Sequence, residues 1–180
     1  VVVAIDGKPG GVVQFAAVFQ DDPSGLLVNA ESNVHKFSDL EGKTIVARPE
    51  WAFLIFLREK LGLHFNIVPT NYAITGFLTG DEIIQQGYYI AEPYHIVKAG
   101  GKEPRFLATW DADFRAYAVL VTNRRFARKH PEKLKAFLRA YIKGWGDYLE
   151  GNPTLAHAAM KQANPNNTDE FMMASRQLII

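Results

Sequence analysis

Residues 43–68 read KTIVARPEWAFLIFLREKLGLHFNIV, and the reading of this stretch decides the fold. Lys43-Thr44-Ile45-Val46-Ala47 is an apolar, β-branched run of strand length. Phe53, Leu54, Phe56, Leu57 and Leu61 then recur at the spacing of one helical face. Pro49 suits a helix's first turn, and Gly62 suits its stop. Phe65-Asn66-Ile67-Val68 is a second short strand. Strand, helix and strand in that order predict two adjacent parallel strands joined by a right-handed crossover. The chain is therefore α/β.

Toward the N-terminus, Gly10-Gly11 precede a β-rich run from Val12 to Phe19. Asp21-Asp22-Pro23-Ser24-Gly25 predict a turn and Leu26-Leu27-Val28 a short strand. Ser38-Asp39-Leu40-Glu41 has capping-box spacing, so one helical turn is expected there, ended by Gly42. Val1 to Ile5 reads as a buried strand. It lacks the charged flank and cleavage site of a signal peptide. Toward the C-terminus, a short helix is expected from Tyr72 to Leu78, stopping at Gly80, and a strand from Tyr117 to Thr122. Pro131 opens the longest helix. Its stripe of Leu134, Phe137, Leu138, Tyr141, Ile142, Trp145, Tyr148 and Leu149 reads as core. Asn152-Pro153 breaks that helix and starts a second through Ala163, and Thr168 caps a third. The last residues, Arg176 to Ile180, continue an apolar helical pattern, so both ends read as cut and the chain as a fragment.

The 180 residues carry a net charge of +1 with 22% charged side chains, which gives no electrostatic footprint for nucleic acid. The richest basic stretch, Arg124-Arg125 through Lys129, reads as a solvated face. With no cysteine, thiol catalysis, Cys-ligated zinc and disulfides are excluded. No run approaches the roughly 18 apolar residues that span a bilayer. The five histidines, His35, His64, His95, His130 and His157, stand singly and not at zinc spacings, so no metal is expected. No nucleophile elbow, phosphate loop or dinucleotide fingerprint occurs. Asp111 and Asp113 lie two apart and need not face one another. No catalytic residue and no cofactor is expected; the reading is not an enzyme.

Two places invite binding. Arg48-Pro49-Glu50-Trp51 joins a strand end to a helix start, where ligands gather in open α/β sheets. Arg48 can clamp an anion and Trp51 can stack on a ring. The alternative is a solvated Arg48 and a Trp51 that only staples the helix. The second place is Gln85-Gln86-Gly87-Tyr88-Tyr89-Ile90-Ala91-Glu92-Pro93-Tyr94. Here a strand ends in a carboxylate, a proline and an aromatic. Glu92 can accept from ligand N–H or O–H groups, and Tyr88, Tyr89 and Tyr94 can give flat walls with polar tips. The alternative is a hinge crossing whose tyrosines pack. Trp110 and Tyr117 flank another candidate crossing.

The order of four segments resembles the solute-binding proteins of ABC importers of the NMT1/THI5-like (nitrate, sulfonate and thiamine-precursor) family. They are Gln20 to Val28, Asp39 to Ile45, Gln85-Gln86-Gly87-Tyr88 with Glu92-Pro93-Tyr94, and Val121-Thr122-Asn123 through Pro131 to Asn152-Pro153. The resemblance implies a type II periplasmic-binding-protein fold: two α/β lobes joined by hinge strands, incomplete at both ends here. It divides the chain into 1–30, the end of the first lobe and a hinge crossing; 31–110, the second lobe; and 111–180, the return crossing and C-terminal helices. The Glu92-Pro93 region would lie near the return to the hinge. The implied function is capture of a small organic molecule between lobes and delivery to a membrane permease. The protein would be a monomer, periplasmic or extracellular, free or lipid-anchored, with no nucleic-acid partner. The aromatic and carboxylate candidates favour a nitrogen-containing ring such as a pyrimidine, and Arg48 pulls toward a sulfonate, nitrate or carboxylate. Three rivals are an effector domain of a transcriptional regulator, a pyrimidine-synthase-like enzyme and a pure interaction domain. No helix-turn-helix segment supports the first, and the lack of cysteine speaks against the second.

Overall fold

The computed structural model describes residues 11–19, 21–80, 82–115 and 118–179. Contacts group them into two units, one of residues 11–19 with 118–172 and one of 21–115 with 173–179. The Val1–Ile5 strand and Tyr117 fall outside the described residues.

The second unit is built on a five-stranded sheet. Its strands are β2 (Ser24–Val28), β3 (Thr44–Ala47), β4 (Asn66–Pro69), β5 (Ile84–Tyr88) and β6 (Arg105–Ala108), in the order β4-β3-β5-β2-β6. β3 runs parallel to β4 and β5, and β2 runs antiparallel to β5 and β6. The β-α-β reading of residues 43–68 holds: α1 (Ala52–Leu61) links β3 to β4, and Gly62 closes it in the left-handed conformation at φ 67°. A β-carbon disfavours that conformation, which is why glycine serves there. Leu26 and Leu27 are both fully buried because both sheet faces are covered. One face packs Leu26, Val28, Ile45, Ala47 and Ile84 against Phe53, Leu54 and Leu57 of α1. The other sets Leu27 against Phe77 of α2 (Thr75–Thr79) and Ile96 of α3 (Glu92–Lys98).

Three local expectations change. The helix after β3 begins at Ala52, not at Pro49, because the Trp51 N–H donates to the Arg48 carbonyl at 3.0 Å and closes a turn first. Pro93 takes the first-turn role instead, in α3. The predicted helix from Tyr72 shortens to Thr75–Thr79, since the Tyr72 and Ala73 N–H groups are drawn to Thr70 Oγ1 (2.9 Å) and Asn71 Oδ1 (3.0 Å). β6 was not foreseen, because its apolar run is only Phe106-Leu107-Ala108, preceded by Pro104 and the charged Arg105. That side chain reaches the Val34 carbonyl at 2.7 Å and pins the loop after β2.

In the first unit β1 (Val12–Ala17) pairs antiparallel with β7 (Val119–Asn123). α4 (Arg124–Lys129), α5 (Pro131–Glu150), α6 (Thr154–Ala163) and the start of α7 (Asp169–Ile179) follow. The α5 stripe forms an aromatic ladder, with Phe137 edge-on to Phe15 at 6.3 Å and Trp145 edge-on to Phe19 at 6.0 Å. It is not core, however: no residue of α5 is fully buried, and Phe137 and Ile142 stay 51% and 62% exposed. Among the described residues this unit has only a two-stranded sheet, which is too narrow to cover a 20-residue helix. Among the described residues no helix is long and apolar enough to cross a membrane.

Candidate ligand-binding site

Parallel strands end at one edge of a sheet, so β3, β4 and β5 deliver their following residues to a common rim. Arg48-Pro49-Glu50-Trp51 follows β3, Thr70-Asn71-Tyr72 follows β4, and Tyr89 to Glu92 follows Tyr88 at the end of β5. β2 starts at the same rim, with the Asp22 carboxylate accepting the Ser24 N–H at 2.8 Å.

Arg48 is held through both its backbone and its side chain. Its backbone N–H donates to Oε1 of the buried Gln86 at 2.9 Å, which fixes where the side chain leaves the sheet. The guanidinium donates to Glu50 Oε1 from Nε at 3.1 Å and from a terminal nitrogen at 3.0 Å. That hydrogen bond, then the Glu50 charge and the neighbouring Tyr72, hold Arg48 above its already high pKa. The Glu50 carboxyl lies below its ordinary value, first through its own backbone N–H and then through Arg48. The two side chains remain 59% and 67% exposed, so solvent screens the pair.

Tyr88 stands beside them. Burial, then the nearby Tyr72, Asp22 and Glu92, push its phenol above the usual value, and Arg48 pulls the other way. The ring therefore offers a neutral O–H donor at neutral pH. Its backbone N–H donates to Glu92 Oε2 at 2.8 Å, so Glu92, at the start of α3, holds the β5–α3 turn with one carboxylate oxygen. This places Glu92 at a helix start.

The other candidates go elsewhere. Trp51 packs on the core, its ring 5.1 Å from Phe53. Tyr89 donates its hydroxyl to the Leu178 carbonyl at 3.3 Å and sits edge-on to Phe106 and Trp110 at 5.7 and 5.8 Å. Tyr94 lies on α3, edge-on to His95 at 5.4 Å. The rim thus gathers Arg48, Glu50 and Tyr88 with Glu92 behind, and turns Trp51 and Tyr89 into packing. Sequence reasoning missed Tyr72, which both Arg48 and Tyr88 sense and whose φ of 59° is left-handed. The available signal was topological: in a parallel sheet the residue after β4 shares a rim with the residue after β3. Among the described residues no three His, Asp or Glu side chains cluster as metal ligands.

A family model described as NMT1/THI5 like matches residues 1–156. The chain belongs to this NMT1/THI5-like family. No curated protein matches it. Among solved structures, the alkanesulfonate-binding protein SsuA from Xanthomonas axonopodis pv. citri, bound to MOPS, is 15% identical with a TM-score of 0.63. The match covers 92% of this chain and 59% of that one. The periplasmic aliphatic sulphonate binding protein SsuA from Escherichia coli is 13% identical with a TM-score of 0.70, covering 94% and 60%. At these identities the likeness is one of fold, and it agrees with the expected type II periplasmic-binding-protein architecture. This NMT1/THI5-like chain spans about three-fifths of the length of the two solved proteins.

Proposed function

We propose that the chain is a solute-binding component of an ABC importer, not an enzyme, and that the carboxyl rim of its five-stranded sheet recognises a small organic anion, a sulfonate first. The observation that carries this reading is Arg48, whose exposed guanidinium stands at the ends of parallel strands beside Tyr72 and Tyr88. A guanidinium presents forked N–H donors that match sulfonate or carboxylate oxygens, and phenols add O–H donors and flat walls. Glu50 takes those donors, but an exposed, screened pair yields to an anion at modest cost.

The nitrogen-ring reading is less well supported, because Trp51 and Tyr89, two of the four rings expected to wall it, are engaged with Phe53 and with Phe106 and Trp110. The sulfonate reading is also supported by the two solved proteins of this fold, which are described as sulfonate-binding. A membrane permease is the partner in this reading, and a periplasmic location follows the Escherichia coli protein's description.

The test is a thermal-shift titration with propanesulfonate, MOPS and a pyrimidine. A ligand at one hundred times its dissociation constant stabilises by about 2.7 kcal/mol. Sulfonates are expected to raise the melting temperature of the wild type and not that of Arg48→Gln. A shift from the pyrimidine alone would restore the ring reading, and no shift from any of them would refute binding at this rim.

A further inference from the structure

We propose a second site, in the first unit, that takes a phosphate-bearing polyanion. Arg124, Arg125, Arg128 and Lys129 of α4 line a concavity of about 410 Å³ together with Gly11 and Asn123. All four cations are exposed, and among the described residues none has an acidic partner. Some cations elsewhere in the chain do have one. Lys43 pairs with Glu82, Arg115 with Asp21, Lys102 with Glu31, Lys143 with Asp147 and Lys161 with Asp169.

Arg128 and Lys129 suit the last turn of the helix, but the N-terminal pair works against it. Arg124 and Arg125 occupy the first two positions of α4, where the helix dipole disfavours positive charge. Arg124 with Arg128, and Arg125 with Lys129, are like charges one helical turn apart, a repulsive spacing. Local choices that oppose the local structure mark places where another demand is met. A bound polyanion relieves both conflicts at once.

The chemistry of the concavity narrows the ligand. The Arg125 and Phe126 N–H groups are already taken by Asn123 Oδ1 at 2.8 and 3.3 Å, so recognition falls to the side chains. Three guanidinium groups favour planar, two-pronged binding of phosphate oxygens. The concavity is open to solvent, so a ligand bearing more than one phosphate can reach several of the four cations at once. Free phosphate compounds and lipid headgroups share this chemistry, and the experiment separates them.

The whole chain would be titrated with inorganic pyrophosphate by calorimetry at low salt. In parallel it would be sedimented with vesicles of phosphatidylcholine, with and without one quarter phosphatidylglycerol. Removing one cation near an anionic surface weakens binding about five-fold. Arg124→Gln/Arg125→Gln and Arg128→Gln/Lys129→Gln should each lose about 25-fold by the same reasoning, with Lys143→Gln/Lys161→Gln unchanged. Arg124→Gln/Arg125→Gln should melt no lower than wild type, because it removes cations from the N-terminal turn. Pyrophosphate binding lost in the α4 variants supports the site with a soluble phosphate as its source, and vesicle binding lost in them supports it with a headgroup as its source. Binding of neither probe, or binding that survives both double variants, overturns the proposal.

Discussion

Gly87→Ala tests the core and the candidate rim through a single methyl group. Gly87 pairs with Gly25 across β5 and β2, one residue before Tyr88. A β-carbon there would stand 2.5 Å from Leu27 Cδ1 and 3.2 Å from the Glu92 carboxyl group. Carbon atoms rest about 3.5–4.0 Å apart, so the overlap with Leu27 is roughly 1 Å or more. Leu27 is fully buried and packs with Phe77 and Ile96, so relief requires an off-rotamer side chain or a shifted strand. Overpacking of this kind costs about 1–3 kcal/mol. Displacing Glu92 also loosens its bond to the Tyr88 N–H, about another 1 kcal/mol. For a unit of about 100 residues, each kcal/mol moves the melting temperature about 4–8 °C, so a fall of at least roughly 8 °C is expected. Gly42→Ala is the control. Its β-carbon would meet nothing within 4 Å and bears only the left-handed φ of 70°, a cost of about 1–2 kcal/mol. Melting of the two variants side by side would refute the packing argument if Gly87→Ala fell no further than Gly42→Ala.

Further outcomes follow from the same geometry. Phe53→Ala removes a fully buried ring that touches Phe37, Trp51 and Phe114, and should cost about 3–5 kcal/mol in urea unfolding; a loss below about 1 kcal/mol contradicts its central place. Asn123→Ala deletes the cap of α4 and should cost about 1 kcal/mol, with faster amide exchange at Arg125 and Phe126. Asp39 accepts the His35 and Lys36 N–H groups at 2.9 and 3.1 Å, and these bonds, the His35 one foremost, lower its pKa. A carboxyl whose folded pKa lies below its unfolded value stabilises above the unfolded value, about 3.9, and loses that contribution as pH falls. Wild type should therefore out-melt Asp39→Asn at pH 6 and converge with it toward pH 2; a constant gap would contradict the assignment.

The β-α-β unit was legible because its signals are local: a β-branched run, a helical apolar face and a glycine stop lie within residues 43–68. Thr168 was legible as a cap for the same reason, and its Oγ1 accepts the Phe171 N–H at 3.1 Å. Most of the rim was legible too, since Arg48, Glu50, Tyr88 and Glu92 lie at or just beyond the ends of strands that the pattern located. What could not be read was direction. Whether Trp51 and Tyr89 face a ligand or the protein depends on partners far along the chain, such as Phe106 and Leu178 for Tyr89. Tyr72 escaped because its neighbours, Arg48 and Tyr88, meet it only through strand order. The α5 stripe was misread as core because periodicity reports which residues share a face, not what covers that face.

The most direct test of the central claim is a backbone-amide chemical-shift map of the chain titrated with an alkanesulfonate. The account predicts saturable shifts centred on Arg48, Glu50, Tyr72 and Tyr88, absent in Arg48→Gln. Shifts centred elsewhere, or none at millimolar ligand while a pyrimidine produces them, would contradict it.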